Sequence, residues 1–321
     1  MRRFADLRPS GVIPATLLCF DADFTIDARA TCRHLRDVAA TGGLAAITVN
    51  GHSSEVHACS PDEQRRVLEM GLHEIGDRLP VISGIYADGS LLAAELARMA
   101  DRAGASALLV FPPNSMSMGG QLRPEMALAH FKRIADATDL PLIVFQYPMA
   151  SGLGCPFDTL LRLFDALPTI RAIKDWCADP MLHERHIREF QALPRPVTVL
   201  TAHSSWLMSS LVMGAGGLLS GAGSVIPDLL VALFDAVQSK DLARAQRISE
   251  RIYPLAQAFY AAPVLDMHNR MKECLRLLGR IERAVVRPPL VRLSPAEIER
   301  LATALRQAGL LAPDARGMAA E

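Results

Sequence analysis

The amino-acid sequence predicts an α/β protein, a (β/α)₈ TIM barrel with a C-terminal helical domain. Short apolar runs alternate with amphipathic stretches, and this alternation repeats eight times in about 230 residues. Apolar strands that alternate with helices are typical of a parallel sheet covered by helices, and eight such units fit a closed barrel. A doubly wound open sheet is the alternative, but the glycine-rich first loop that usually accompanies it is missing from this sequence.

Each predicted strand is a short apolar run, and each predicted helix has an amphipathic pattern. The strands are predicted over residues 12–20, 45–49, 80–86, 107–111, 142–147, 170–174, 197–202 and 217–220. Helices are predicted between them, for example over residues 61–72, 91–103, 123–137 and 157–166. Ser60 marks the clearest helix start, because serine is a favourable N-cap and Pro61 suits the first helical position.

The strand pattern stops near Pro227, and only helical patterns follow. Helices are predicted over residues 229–238, 241–259, 265–278 and 295–308. Pro288 and Pro289 interrupt the series, and Ser294 with Pro295 predicts the start of the last helix. We therefore predict two domains, a barrel over residues 1–226 and a helical domain over residues 227–321. The residues after Leu311 are predicted to fray.

Composition excludes several classes of protein. Half of the residues are hydrophobic, 21% are charged and the net charge is zero, so the chain can bury a large core. No basic stripe predicts binding to nucleic acid, and no 18-residue apolar span or signal-peptide pattern predicts a membrane segment or export. The six cysteines form no CxxC pair, which predicts reduced thiols in the cytoplasm rather than a disulfide framework or a zinc site.

Lys174 carries the most chemical information in the sequence. It ends an apolar strand pattern, whereas the other three lysines, Lys132, Lys240 and Lys272, lie among charged neighbours where a solvated side chain is expected. A lysine at the end of a buried strand loses hydration, and this loss lowers its pKa toward a nucleophilic free amine. Such an amine attacks a ketone or aldehyde to give a Schiff base. The alternative is a lysine whose stem lies along the strand end while its amine reaches solvent.

The active site of such a barrel lies where the strands end, in the loops that follow them. These positions hold one amine, two imidazoles, two phenols and several hydroxyls. An amine can form the imine, a phenol or imidazole can move protons, and hydroxyls with backbone N–H groups can hold a carboxylate. The candidate residues are Gly51, His52, Ser53 and Ser54 after the second strand, Phe145 and Tyr147 at the fifth, Lys174 at the sixth, His203 at the seventh and Ser220 at the eighth.

Other interpretations of individual residues stay open at this point. His203 could cap a helix, Tyr86 could pack with its hydroxyl satisfied, and Glu55 could be a carboxylate in the first turn of a helix. His183 and His186 are three residues apart in a charged helical segment and lack the HExxH order. We predict that both lie on the surface and assign no metal ion to them.

The chain resembles the dihydrodipicolinate synthase/N-acetylneuraminate lyase family from Gly11 to about Arg280. The segment Gly51-His52-Ser53-Ser54-Glu55 occupies the place of the family's Gly-Thr-Thr-Gly-Glu signature. Phe145-Gln146-Tyr147-Pro148 stands where the family has Tyr-Asn-x-Pro, and Ile173-Lys174-Asp175 carries the lysine that forms the Schiff base. The resemblance implies a class I aldolase or dehydratase on a (β/α)₈ barrel, with a homo-tetramer or dimer as the usual assembly.

Several positions depart from the family pattern. The family's catalytic tyrosine falls on Phe145, which cannot transfer a proton, and the first signature threonine falls on His52. The second threonine, which holds the substrate carboxylate, falls on Ser53 and keeps its hydroxyl. The relay tyrosine from a neighbouring subunit falls near Asn114, and the arginine that recognises the second substrate of the synthase falls on Ala150. Imine formation is therefore favoured over true dihydrodipicolinate synthesis.

The predicted function is that of a lyase in which Lys174 forms a Schiff base with pyruvate or a related 2-oxo acid. Side chains two residues apart in a strand share a face, so Tyr147 should point the same way as Phe145 and share the proton transfers with His52. His203 is the reserve group for these proton transfers. No cofactor or metal ion is expected, because the imine itself accepts the electrons. One alternative is 4-hydroxy-tetrahydrodipicolinate synthase in lysine biosynthesis, and another is a non-catalytic barrel that binds a small acid.

Overall fold

The computed structural model describes residue 4 and residues 7–312, and it places eight parallel strands in one sheet. The strands are β1 (Gly11–Pro14), β2 (Ile47–Val49), β3 (Val81–Ile85), β4 (Ala107–Val110), β5 (Leu142–Gln146), β6 (Ile170–Asp175), β7 (Thr198–Thr201) and β8 (Gly217–Ser220). Each strand from β2 to β7 pairs with the next one along the chain, with one shift in register between β5 and β6, and β1 pairs with β8. Bridges from Val12 to Leu44 and from Ala15 to Thr48 join β1 to the β2 segment. The strands therefore form the predicted barrel.

Eleven α-helices occur in the described chain. They are α1 (Ala28–Ala39), α2 (Pro61–Ile75), α3 (Ser90–Ala103), α4 (Pro124–Ala135), α5 (Phe157–Ala166), α6 (Pro180–Phe190), α7 (Leu207–Val212), α8 (Pro227–Gln238), α9 (Leu242–Phe259), α10 (Met267–Leu277) and α11 (Pro295–Gln307). Ser60 begins α2 as predicted, since its hydroxyl accepts the Glu63 N–H at 3.2 Å and Glu63 accepts the Ser60 N–H in return. None of the helices over residues 7–312 combines the length and apolarity needed to cross a bilayer.

The first strand is much shorter than its apolar run. β1 ends at Pro14, whereas the prediction extended to residue 20. Beyond Pro14 the Thr16 N–H donates to the Thr48 carbonyl at 2.9 Å, and the Leu17 N–H donates to Ser224 Oγ at 3.0 Å. The segment is apolar because it is a buried loop, and its backbone bonds to one residue of β2 and to a side chain after β8 instead of forming a continuous strand ladder.

Two layers of apolar side chains make the core, and the alternation along each strand decides which layer a side chain enters. Ala172 belongs to the cluster inside the barrel, and Ile173 belongs to the cluster between the strands and the helices. Lys174 therefore points into the barrel. Asp175, the last residue of β6, points outward to the helices.

The C-terminal helices cover part of the barrel. α8 packs against both β1 and α9, and α10 contacts the 3₁₀ turn over His52–Ser54, which follows β2. The domain boundary at residue 226 stays a prediction. α8 follows that boundary in the sequence, yet it packs against the barrel strand β1. The fraying predicted after Leu311 falls mainly on residues 313–321, which lie outside the described residues.

Lys272 is buried, so the expectation of a solvated side chain was wrong for this lysine. It lies on α10, its side chain is 1% exposed, and it donates to Glu55 and to the Val285 carbonyl, the latter at 2.8 Å. Glu55 is not in the first turn of a helix, because it has the left-handed φ of 54° between two 3₁₀ turns. It also accepts the Arg287 N–H at 2.9 Å. The pair ties the loop after β2 to the C-terminal helices.

We expect Lys272→Ala to lower the free energy of unfolding by about 3–5 kcal/mol, because removal of one partner leaves the Glu55 charge buried and uncompensated. Lys132→Ala is the matched control, since the Lys132 side chain is 65% exposed beside Asp136 and such pairs contribute less than about 1 kcal/mol. Urea denaturation followed by circular dichroism measures both losses. Equal and small losses would mean that Glu55 does not depend on Lys272.

Candidate active site

Lys174 lies inside the barrel near the end of β6, and no charged side chain pairs with it among the described contacts. Its residue is 5% exposed, and Nζ lies 4.0 Å from the centroid of the Phe145 ring. No carboxylate or other acceptor in the described chain bonds to Nζ. Burial lowers the pKa of Lys174 from 10.5 to about 7, although contact with the ring face favours the charged form. A large fraction of the amine is therefore unprotonated, and nucleophilic, near neutral pH.

A cavity of about 30 Å³ adjoins this amine. One water molecule needs about 10–15 Å³ on the same measure, so the cavity holds a group the size of two or three waters. Its apolar walls are Phe145, Trp176, Ala202, Leu219 and Met267, and its polar groups are Lys174, His52, Ser53 and Tyr260, with Gly221 completing the lining. The candidates Lys174, Phe145, His52 and Ser53 are thus brought together around one space.

Tyr260 is the functional candidate that sequence reasoning missed. It follows α9 directly and reaches the cavity from the C-terminal helices. Its phenol lies within hydrogen-bonding reach of the Ser204 and Ser220 hydroxyls and of the Ala222 backbone, and burial raises its pKa. No strand end precedes Tyr260, so the search of strand ends could not find it. The chain has only four tyrosines, and that scarcity was the one available signal.

Ser220 belongs to the site through Tyr260. Its Oγ lies 3.2 Å from Ser204 Oγ and accepts the Ala222 N–H at 3.2 Å. Hydroxyls can donate and accept at once, so the two serines and the phenol form a chain along which a proton can pass.

Tyr147 and His52 lie side by side, but only His52 lines the cavity. The centroids of the Tyr147 and Phe145 rings are 4.4 Å apart, as expected if both side chains face the barrel interior. The His52 ring meets Tyr147 edge-on at 6.4 Å between centroids. Burial raises the pKa of Tyr147, and burial together with the nearby His268 holds the pKa of His52 well below 6.5. His52 is therefore a neutral imidazole that can accept a proton.

Ser53 and Ser54 use their hydroxyls to hold the turn in place. The Ser53 hydroxyl donates to the Ala15 carbonyl at 2.7 Å, and the Ser54 hydroxyl donates to the Thr16 carbonyl at 2.7 Å. Neither hydroxyl proton is free for a ligand. The first N–H groups of a 3₁₀ turn have no partner inside the turn, so the backbone at His52 and Ser53 offers the donors that remain.

Gly51 and His203 do not line the cavity. Gly51 has a φ of −79°, which any residue adopts, and a Cβ there would meet the Ala15 Cβ at 3.4 Å. The close approach at this glycine is to Ala15, the residue that follows β1, rather than to an open site. His203 stacks on Trp206 with 3.8 Å between ring centroids, and its buried Nδ1 has no hydrogen-bond partner.

The prediction that His183 and His186 lie on the surface was wrong. Both are buried on α6, and the Nδ1 of each lies 2.7 Å from the same Asp175 carboxylate oxygen. His183 Nε2 also lies 2.6 Å from Ser210 Oγ on α7. Ile187 and Phe190 lie on the same buried face of α6, and the spacing to these apolar residues was the overlooked signal.

Asp175, His183 and Ser210 are connected in the order of a catalytic triad, but a substrate cannot reach Ser210. Ser210 is fully buried and does not line the cavity beside Lys174. The two histidines hold the pKa of Asp175 far below its usual range against the opposing effect of burial. This network fastens the end of β6 to α6 and α7, and so it fixes the strand that carries Lys174.

Two groups of side chains in the described chain have the spacing of metal ligands. One is Asp175, Cys177 and His186, in which the carboxylate already accepts from two imidazoles. The other is His52, His57 and His268 at the mouth of the barrel. Only the second adjoins the cavity beside Lys174.

Comparison with known proteins gives one consistent family. The profile of the Dihydrodipicolinate synthetase family matches residues 8–308. A 4-hydroxy-tetrahydrodipicolinate synthase from Rhizobium meliloti is 29% identical over 303 residues, which cover 94% of this chain and 99% of that protein. An uncharacterized DapA-like lyase from Halobacterium salinarum is 30% identical, and the match covers 94% of both chains. Another 4-hydroxy-tetrahydrodipicolinate synthase, from Rhodopseudomonas palustris, is 32% identical and covers 84% of this chain and 86% of its own.

Solved structures share the fold at lower identity. The structure of YagE from E. coli K12, in complex with pyruvate, superposes with a TM-score of 0.86 at 24% identity, over 94% of this chain and 99% of that one. A monomeric dihydrodipicolinate synthase variant superposes with a TM-score of 0.86 at 24% identity, over 96% and 99% of the two chains.

We expect Lys174 to react as a free amine at neutral pH, since its lowered pKa leaves it unprotonated above about 7. Formaldehyde with cyanoborohydride methylates only unprotonated amines and is small enough for the cavity. Peptide mass spectrometry should show that the labelling rate of Lys174 reaches half of its maximum near pH 7. The exposed Lys132 in the same sample is the reference for how the reagent itself responds to pH. Parallel pH profiles for the two lysines would contradict the assignment.

Proposed function

Because this chain belongs to the Dihydrodipicolinate synthetase family, whose members are lyases of the class I aldolase type, we propose that Lys174 forms a Schiff base with pyruvate or a related 2-oxo acid. The observation that carries this proposal is the buried, unpaired Nζ beside a small cavity. The chain then acts as a carbon–carbon or carbon–oxygen lyase, that is, as an aldolase or dehydratase. Its substrate bears a carboxylate and resembles a sugar acid.

The reaction begins when Nζ attacks the carbonyl carbon at position 2 of the acid. The C–N bond forms, the oxygen is protonated and leaves as water, and a positively charged imine remains. Loss of a proton from carbon 3 gives an enamine, whose electron pair can attack an aldehyde or expel a hydroxyl group. The imine supplies the electron sink, so this sequence is complete with the side chains of the site.

Proton transfer in the site is assigned to Tyr260 and His52. Both line the cavity with Lys174, and Tyr260 connects to Ser204 and Ser220. A phenol with a raised pKa keeps its proton until a reacting oxygen needs it, and a neutral imidazole can accept one. Tyr147, which the sequence analysis paired with His52, supports the His52 ring through an edge-on contact in this proposal.

Carboxylate recognition is assigned to the backbone of the turn over His52–Ser54. Its N–H donors and the adjacent neutral walls suit one carboxylate, and hydrogen bonds to a charged group contribute about 1.5–3 kcal/mol each. Gly221 also lines this side of the cavity, where an added Cβ would meet the Ser53 Cβ at 3.2 Å. A bulkier residue there would narrow the space for the carboxylate.

The second candidate function is 4-hydroxy-tetrahydrodipicolinate synthesis. Its support is the name carried by several relatives, including those from Rhizobium meliloti and Rhodopseudomonas palustris. Phe145 and Ala150 stand against it, because neither can perform the role that the family pattern gives to its position. A coupled assay with pyruvate and aspartate semialdehyde separates the two functions. A homo-tetramer or dimer is proposed for the assembly, while one structural relative is described as a monomeric variant.

We expect borohydride to fix one molecule of pyruvate, or of another 2-oxo acid, to the peptide that contains Lys174. Lys174→Ala should abolish the adduct, and Lys132→Ala should retain it. An adduct on Lys132, Lys240 or Lys272 would contradict the proposal. A trapped adduct without turnover on any of a panel of aldehydes and sugar acids would identify the non-catalytic barrel instead.

We expect Tyr260→Phe to lower kcat about 10²–10⁴-fold on a confirmed substrate, since a positioned proton donor contributes that much. Tyr253→Phe is the matched control, because Tyr253 is on the same helix and 62% exposed. Steady-state kinetics should show a smaller change in KM than in kcat. If Tyr260→Phe, Tyr147→Phe and His52→Ala all keep near-native kcat, then water or the substrate carboxylate carries the proton.

A further inference from the structure

Three imidazoles meet at the mouth of the barrel. His52 and His57 come from the loop after β2, and His268 comes from α10. One nitrogen of each ring lies within 4.8 Å of a nitrogen of the other two. The ring centroids are 5.1 to 6.2 Å apart. Imidazole nitrogens are the commonest metal ligands in proteins, and three of them on two separate elements make a pocket for one ion.

His268 has hydrogen-bond acceptors at both ring nitrogens. Nδ1 lies 2.9 Å from the Leu265 carbonyl oxygen, and Nε2 lies 2.7 Å from the His52 carbonyl oxygen. A carbonyl oxygen only accepts, and a neutral imidazole carries one N–H. In a neutral ring one nitrogen lone pair therefore faces an oxygen lone pair at hydrogen-bonding distance. A positive charge beside that nitrogen, either a second proton or a metal ion, would make the contact favourable.

The surroundings favour a metal ion over a second proton. The imidazolium would lie among two other imidazoles. Glu55, the acidic group whose charge acts on His268, already pairs with Lys272 and accepts the Arg287 N–H. A metal ion, in contrast, binds neutral imidazoles and would use all three rings together. It can also accept the His52 carbonyl oxygen as a ligand.

We propose that His52, His57 and His268 bind one divalent transition-metal ion of the zinc class at the mouth of the barrel. The Nδ1 of His268 points to the Leu265 carbonyl, and this is the bond that usually orients a metal-bound histidine. Zinc–nitrogen bonds of about 2.0–2.1 Å place ligand atoms about 3.3 Å apart. His52 and His57 would therefore turn inward, and among the described contacts neither ring is held by a hydrogen bond.

Metal binding at this site would control the cavity beside Lys174. His52 contributes to both, so an ion that takes its lone pair removes a proton acceptor from the cavity. Turnover should then fall as the site fills, and a chelator should restore it. This consequence rests on the proposed lyase function, whereas binding of the ion does not.

Titration of the metal-free full-length protein with Co²⁺ tests the site without substrate. We expect one equivalent to bind with the visible absorption of a four- or five-coordinate site, and Zn²⁺ to displace it. His57→Ala and His268→Ala should weaken binding at least tenfold. His73→Ala is the matched control, because His73 is exposed on α2. Circular dichroism of each variant checks its fold, and the half-buried His57 carries the test if His268→Ala does not fold.

Unchanged Co²⁺ affinity in a folded His57→Ala variant would overturn the proposal. So would a nitrogen-15 NMR spectrum that shows His268 doubly protonated at neutral pH and unaltered by Co²⁺ or Zn²⁺. Failure of imine trapping with intact Co²⁺ binding would overturn the lyase function alone. Loss of Co²⁺ binding with intact trapping would overturn the metal site alone.

Discussion

The amine of Lys174 is separated from water by side chains that arrive from distant parts of the chain. Phe145 and Leu219 come from the barrel strands, and Tyr260 and Met267 come from the C-terminal helices. This enclosure, rather than any neighbouring charge, lowers the pKa of the amine. The chemistry of the site follows from it, because a hydrated lysine in the same place would be a protonated and inert cation.

The end of β6 has to stay stable although it carries a buried amine. Successive side chains of the strand point to opposite faces, and this alternation makes both possible. Lys174 enters an apolar space without a partner, while Asp175 on the opposite face is fully satisfied by His183 and His186. The outward network includes α7 through Ser210. Contacts on the outer face of the strand therefore hold its end in place, and the Lys174 amine on the inner face stays free to react.

The barrel and its reactive lysine could be predicted because both depend on local patterns. Eight apolar runs at regular spacing predict parallel strands, and a lysine at the end of one of them is visible in the sequence alone. The errors have two physical causes. His183 and His186 look solvated beside their charged neighbours, yet the local spacing to Ile187 and Phe190 puts them on the buried face of α6. Lys272 and Tyr260 were misjudged because their partners are remote in sequence, and only the fold brings α9 and α10 to the ends of the strands.

Tyr260 and His268 belong to the helical segments that follow the barrel, so the site is built from two separate parts of the chain. The barrel supplies the nucleophile and most of the cavity wall, and the later helical segments add Tyr260 and Met267 to the wall and His268 to the group of three histidines. Substitutions in α9 and α10 can therefore change the surroundings of the amine while the strand that carries Lys174 stays the same.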